Sequence, residues 1–80
     1  MEHYKLLVSV TKENKIISLY EGVNYFPKYV IEWGLIGCDN KSKIDLLTTK
    51  GQNMRYSTSL RAFNQMAEAA EFVEFNTIEK

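Results

Sequence analysis

The chain contains few side chains that could perform catalysis. Its only cysteine, Cys38, and its only histidine, His3, are far apart in the sequence. A catalytic thiol needs an adjacent base and a closed zinc site needs about four ligands, so this pair alone satisfies neither requirement. Glu32 and Asp45 fall on neighbouring predicted strands, but two carboxylates on a sheet are typical of an ordinary surface. We expect a protein that is not an enzyme and that uses no metal or cofactor.

Residues suited to binding are more prominent. Trp33 is the only tryptophan, and nucleic-acid bases stack on such a ring. Lys41 and Lys43 stand two positions apart on a predicted strand and so share one face, from which their ammonium groups can neutralise phosphates. Lys28 and Arg55 are further candidates for phosphate contacts. The alternatives are a tryptophan packed under a helix and lysines on an ordinary solvated face.

Charge is unevenly distributed along the chain. The net charge is zero, which does not favour a nucleic-acid binder that is basic overall. Residues 28–61 nevertheless carry six basic and three acidic side chains, whereas residues 62–80 carry four acids and one lysine. This asymmetry predicts a basic face and an acidic face, with an evenly solvated surface as the alternative.

The acidic end of the chain offers a second kind of binding surface. Phe72 falls off the apolar stripe of the helix predicted there. Together with Phe75 and the acids Glu68 and Glu71, it forms a candidate apolar and acidic surface for a protein partner. The alternative is a helix that ends near residue 70, with both aromatic side chains folded back on the core.

Length and composition indicate one small domain. A chain of 80 residues with 45% hydrophobic residues can build one core, so we expect a single domain over residues 1–80. No apolar run approaches the ~18–20 residues of a membrane span, and the sequence has no apolar signal-peptide region. A single cysteine cannot form an internal disulfide, so we expect a cytoplasmic protein. Abundant lysine and scarce arginine suggest a bacterial or phage source.

Alternating side chains predict two strands at the start of the chain. The apolar side chains of residues 3–11 alternate with polar ones and share one face, which is the period of a half-buried strand. They are Tyr4, Leu6, Val8 and Val10. Residues 12–15 are polar, and Asn14 tolerates a left-handed turn, so a hairpin should lead to a second strand over residues 16–21.

Two more strands are predicted around a pair of glycines. The first covers residues 28–33. Gly34 and Gly37 then permit a sharp bend that keeps the apolar pair between them buried. A polar turn leads to the second strand, over residues 42–49, and residues 54–56 are a candidate short edge strand.

One helix is predicted over residues 59–72, with N-cap candidates at Ser57, Thr58 and Ser59. Its apolar side chains recur at helical spacing and form one stripe. They are Leu60, Phe63, Met66, Ala67, Ala70 and Val73. Residues 72–78 fit either a final strand or an extended tail. The elements together predict an α+β fold, in which a small antiparallel meander of four to five strands carries one C-terminal helix on one face.

The stretch Trp33-Gly34-Leu35-Ile36-Gly37 resembles the motif of WGR domains, which are named for a Trp-Gly-Arg triplet usually followed by Ile-Gly. Residues 14–17 resemble the family's step into a strand, and residues 29–32 resemble the strand that leads to its tryptophan. Residues 41–44 resemble the basic strand after the motif, and residues 59–72 resemble the closing helix. The similarity spans almost the whole chain.

Two departures limit what this resemblance implies. Leu35 replaces the arginine that names the family, and residues 50–56 look like an extra hairpin. In poly(ADP-ribose) polymerases the domain helps to sense DNA breaks. The resemblance therefore implies the fold and a contact with DNA strand ends, with Trp33 as the stacking residue and no substitute for the arginine.

Three hypotheses about function remain open. The first is a non-enzymatic binding module that contacts DNA or another nucleic acid through Trp33 and the lysine-bearing sheet face. The second is a small protein–protein interaction module, or an inhibitor of mobile-element or phage type, that acts through its acidic C-terminal helix. The third is a subunit that pairs with copies of itself through an edge strand at residues 54–57.

Overall fold

The computed structural model describes residues 3–68, which form four β-strands and one α-helix. The elements are β1 (Tyr4–Lys12), β2 (Lys15–Gly22), β3 (Tyr29–Leu35), β4 (Ser42–Asp45) and α1 (Tyr56–Glu68). Each strand pairs antiparallel with the next, in the order β1-β2-β3-β4. The predicted α+β fold is confirmed, with four strands in the meander. The predictions for residues 69–72 of the helix and for residues 72–78 lie outside the described residues.

One face of the sheet, here called the inner face, carries the core. Successive side chains of a strand alternate between faces, so every second residue of β2 and β3 points to this side. Helix α1 covers it with Phe63, which is fully buried, flanked by Leu60, Met66 and Ala67. The buried cluster consists of Ile17, Leu19, Tyr29, Ile31, Trp33, Leu46 and Phe63. The predicted apolar stripe is thereby confirmed as far as Ala67, and the opposite side of the sheet is called the outer face.

The register of β1 changes within the strand and corrects its predicted pattern. Between Leu6 and Val8 the pairing with β2 shifts, so Leu7 is the extra residue of a β-bulge. Leu7 and Val8 both pack against the core, whereas Leu6 is 52% exposed. The prediction that the apolar side chains from Tyr4 to Val10 share one face is wrong. Because of the bulge, Tyr4 and Leu6 point to the outer face, whereas Val8 and Val10 point to the inner face.

The turn of the β1–β2 hairpin consists of Glu13 and Asn14, which lie between the paired residues Lys12 and Lys15. Glu13 has a φ of 59°, in the left-handed region. The hairpin is where the sequence predicts it, but the left-handed residue is the glutamate and not the asparagine.

Strand β3 continues through Gly34 to Leu35, past the predicted bend. Gly34 pairs in register with Ile16, and a methyl group built on it would lie 2.8 Å from Cγ of Lys41. The glycine therefore permits a close approach of two chain segments and does not bend the strand. The turn comes at Gly37, which has a φ of 81°.

The apolar pair between the two glycines is exposed, contrary to the prediction. Leu35 is 37% exposed and Ile36 is 52% exposed. The Ile36 N–H donates a hydrogen bond of 2.7 Å to the carbonyl of Asn14, which ties the end of β3 to the hairpin turn. The end of β3 is therefore held in place by a backbone hydrogen bond of Ile36 and not by burial of the Leu35 and Ile36 side chains.

Strand β4 is shorter than predicted and ends at Asp45. The chain then forms a loop in which Leu47 and Asn53 make an isolated bridge. Residues 54–57 form no edge strand, because α1 already begins at Tyr56. The hypothesis that copies associate through a strand at this position loses its structural basis.

The start of α1 also differs from the prediction. Ser59, an N-cap candidate, lies inside the helix, where its N–H donates a hydrogen bond of 2.9 Å to the carbonyl of Arg55. Its side chain is fully buried. Ser57 and Thr58 are helical as well, so the three hydroxyl residues form part of the first turns and do not cap them.

Gly34→Ala should destabilise the fold, because the added methyl group would meet Lys41. Overpacking of this kind costs about 1–3 kcal/mol. Lys41→Ala removes Cγ, the nearest atom, so the glycine substitution should cost less in the Lys41→Ala background. Urea unfolding of the parent, the two single variants and the double variant measures both costs. Equal costs in the two backgrounds would contradict this explanation of the glycine.

Candidate nucleic-acid interface

The outer face of the sheet carries the two lysines predicted to share a surface. Lys43, in β4, pairs with Glu32, which alternates with the inward-facing Trp33 and so points outward. Lys41 lies directly before β4 and places its side chain against Gly34, on the same side of the sheet. The two lysines therefore share the outer face, as their spacing predicted. Helix α1 packs against the opposite face.

Charge on this face changes along β4. Lys41 and Lys43 lie toward one end, whereas Asp45 lies further along and pairs with Val30. Glu32 stands directly across from Lys43. Within residues 3–68, neither lysine forms an ion pair with an acidic side chain. Lys41 and Lys43 therefore place two cations at the end of the outer face that contains Gly34, with Glu32 opposite Lys43 and Asp39 in the turn before Lys41. These two ammonium groups are candidates for contacts with a polyanion.

A neighbouring tyrosine makes a long hydrogen bond to the Glu32 carboxylate. The Tyr20 hydroxyl donates to Oε1 of Glu32 over 3.5 Å. Burial raises the pKa of Tyr20 above its usual value, and the negative charge of Glu32 raises it further. The phenol is therefore neutral at physiological pH and remains a hydrogen-bond donor. This weak contact links Glu32 to β2, on the side away from Lys43.

The Lys41 ammonium group is partly engaged. It donates a hydrogen bond of 2.6 Å to the carbonyl of Cys38, within the β3–β4 turn. An ammonium group has three donors, so this contact orients the side chain and leaves capacity for a phosphate. Lys43 is exposed and forms no hydrogen bond through its side chain within the described part of the chain.

Trp33 belongs to the core cluster and is 8% exposed. A ring packed between the sheet and α1 offers no free face to a nucleic-acid base. Stacking on Trp33 stays a prediction, and it would require the core to open. The surface described above does not depend on it.

Lys28 and Arg55 lie away from the other two predicted cations. Lys28 precedes β3, about 20 Å along the strand from Gly34 at 3.3 Å per residue. Its Nζ is 4.0 Å from Oε2 of Glu21, and its N–H donates to Oδ1 of Asn53 over 2.8 Å. Arg55 lies on the other side of Asn53 and lines a separate depression. The predicted site residues therefore divide into two groups at opposite ends of the sheet.

Sequence reasoning missed an aromatic cluster at the β2–β3 connection, residues 23–28. The ring of Tyr25 stacks on that of His3, with centroids 4.5 Å apart and planes at 10°. Tyr4 meets the same ring edge-on at 5.7 Å. Tyr25 is 49% exposed, and Phe26 is 61% exposed. Two adjacent aromatic residues in a polar connection were the available signal, since a loop rarely buries both.

Tyr4 anchors this connection to the sheet. Its ring passes over Gly22, where a built methyl group would lie 3.1 Å from Cε2, and its hydroxyl donates to the carbonyl of Pro27 over 2.9 Å. Burial raises the pKa of Tyr4 above its usual value, and Asp45 and Tyr25 add to the shift. The hydroxyl is therefore protonated at physiological pH and available as the donor. The β2–β3 connection that carries the exposed aromatic side chains is therefore anchored to the sheet by Tyr4.

The predicted protein-binding surface falls largely beyond the described part of the chain. Glu68 is exposed at the last described position of α1. Glu71, Phe72 and Phe75 lie outside the described residues.

Comparison with known proteins adds no family to this geometry. No family model, curated protein sequence or solved structure matches the chain. The resemblance to WGR domains therefore stays a prediction. Within residues 3–68, the structure contains no helix that is both long and apolar enough to cross a lipid bilayer.

Tyr4→Phe should lower the free energy of unfolding by about 1 kcal/mol, because it removes the hydrogen bond to Pro27 while keeping the ring. Tyr56→Phe is the matched control, since that residue is 50% exposed and its hydroxyl makes no hydrogen bond within the described residues. Urea unfolding measures both. Equal stability of the two variants would mean that the Tyr4 hydroxyl does not hold the loop.

Proposed function

We propose that the chain is a non-enzymatic module that binds DNA or another nucleic acid at the end of its outer sheet face that contains Lys41 and Lys43. The observation that carries this proposal is the placement of the two ammonium groups on one face, beside Gly34 and without ion pairs in the described part of the chain. Phosphate contacts need cations at spaced positions on one accessible surface, and this arrangement supplies two of them.

The binding mode follows from the chemistry of these side chains. Lysine contacts phosphate as a point charge and does not distinguish bases, so binding should be independent of sequence. Each neutralised phosphate releases counterions, so affinity should fall with rising salt concentration. Glu32 and Asp45 on the same face restrict the contact to one end of the sheet and limit its strength.

A protein-interaction module acting through Glu68, Glu71, Phe72 and Phe75 is the alternative proposal. Of these residues only Glu68 lies in the described part of the chain, so the geometry does not favour it over nucleic-acid binding. It becomes the leading hypothesis if the experiment below detects no nucleic-acid binding.

Lys41→Glu combined with Lys43→Glu should abolish or strongly weaken binding to a hairpin-closed DNA duplex, because both phosphate contacts become repulsive. Fluorescence anisotropy of a labelled duplex, titrated at several salt concentrations, measures the affinity and its salt dependence. Removal of two lysine–phosphate contacts should reduce the slope of log affinity against log salt by about 2.

Lys50→Glu combined with Arg61→Glu is the control, since it makes the same change in charge at two exposed positions outside the sheet, one in the β4–α1 loop and one in α1. The control should retain most of the parent affinity, and circular dichroism should show that both double variants are folded. Equal losses of affinity in the two double variants would mean that the net charge of the protein, and not this surface, determines binding. Unchanged affinity in the Lys41 and Lys43 variant would exclude this surface.

A further inference from the structure

A cleft lies at the end of the sheet where β2 and β3 are joined, remote from Lys41 and Lys43. It encloses about 460 Å³, within the range of about 300–1,000 Å³ found for small-molecule sites. Its lining includes Lys5, Glu21, Asn24, Tyr25, Lys28 and Asn53. We call it the end cleft. Two cations and two amides give it a more polar lining than that of most small-molecule sites, which are predominantly apolar.

The aromatic wall of the end cleft is suited to stacking. Tyr25 lines the cleft and is held by the parallel ring of His3, at 4.5 Å between centroids. Both residues are exposed, so a third planar group can extend the stack. A base stacked on an aromatic side chain gains about 1–3 kcal/mol whatever its identity, because every base has a flat π-face.

The polar wall is suited to the rest of a nucleotide. Glu21 lies 4.0 Å from Lys28, whereas Lys5 forms no ion pair within the described residues, so the cleft keeps an excess of positive charge. Asn53 accepts a hydrogen bond from the backbone of Lys28 through Oδ1, which leaves its NH₂ group as a donor. The Tyr25 ring can therefore stack on a base, Lys5 can contact a phosphate, and the Asn53 amide can donate to the polar edge of the base.

We infer that the end cleft binds an unpaired nucleotide within a single-stranded nucleic acid. The base stacks on the Tyr25 ring, which His3 supports by stacking, and the adjacent phosphate contacts Lys5. Paired bases are already stacked in a duplex and cannot enter the cleft. The inference rests on the proposed function in taking nucleic acid as the partner, but it assigns the single strand to a different surface.

The test compares a labelled eight-nucleotide single strand with the hairpin-closed duplex, by anisotropy, for three variants of the full chain. Tyr25→Leu removes the stacking ring, and Lys5→Glu reverses the charge of the free cation. Because Lys5 lies directly opposite Glu21, the stability of this variant must be measured as well. Lys12→Glu is the matched control, since it makes the same charge change on β1, seven residues or about 23 Å from Lys5 at 3.3 Å per residue. Thermal unfolding checks each variant.

Tyr25→Leu and Lys5→Glu should each weaken single-strand binding by at least about 5-fold, the equivalent of one weakly stacked base, and leave duplex binding within about 2-fold. Lys12→Glu should leave single-strand binding within about 2-fold. If single-strand affinity is unchanged in both end-cleft variants, the inference is overturned. Duplex binding in the same experiment would still support the proposed function. If neither nucleic acid binds, both the inference and the proposed function are rejected. Single-strand binding that depends on Tyr25, without duplex binding, supports the end cleft and rejects the outer-face site.

Discussion

Within residues 3–68, the single helix α1 packs on one face of the four-stranded sheet, and the rest of the described structure depends on this constraint. Phe63 seats α1 on the inner face and is fully buried, together with Ile17, Leu19 and Ile31. Burial of a large apolar side chain contributes about 1.5–3 kcal/mol, so a few such residues account for much of the stability expected of a small domain. Among residues 3–68, the outer face and the sheet ends are left uncovered by α1 and can supply a binding surface.

The pairing register decides which residues belong to the core and which remain for binding. Trp33 and Glu32 are neighbours in β3, so a register that buries the tryptophan turns the glutamate outward, and Lys43 with it. A shift of one residue would reverse this assignment. Gly34 supports the observed arrangement by letting Lys41 pack against the strand. The core and the lysine surface are therefore two consequences of a single register.

Much of the fold could be predicted from the sequence, because it rests on local periodicity. The β2 and β3 patterns, the hairpin position and the helical stripe around Phe63 all follow from side-chain spacing. The bulge at Leu7 could not be read this way, since the apolar alternation of β1 continues through it. The helix start was missed because Ser59, a strong N-cap residue, instead lies within the first turn of α1 with its side chain buried.

The candidate sites were less predictable than the fold. The shared face of Lys41 and Lys43 follows from their spacing, but the separation of Lys28 from them depends on the order and direction of the strands. The end cleft combines residues from β1, the β2–β3 connection and the loop around Asn53. Such a juxtaposition depends on tertiary contacts, and no local pattern signals it.

The fluorescence of Trp33 provides the most direct test of the central claim, that this residue belongs to the core and that nucleic acid binds elsewhere. The chain has one tryptophan, so the signal needs no assignment. Acrylamide should quench the native protein much less than the urea-unfolded protein, and saturating DNA should leave the emission spectrum unchanged. Two results would contradict the claim: acrylamide quenching of the native protein as strong as in urea, or strong quenching by DNA. Either result would indicate that Trp33 is part of the binding surface.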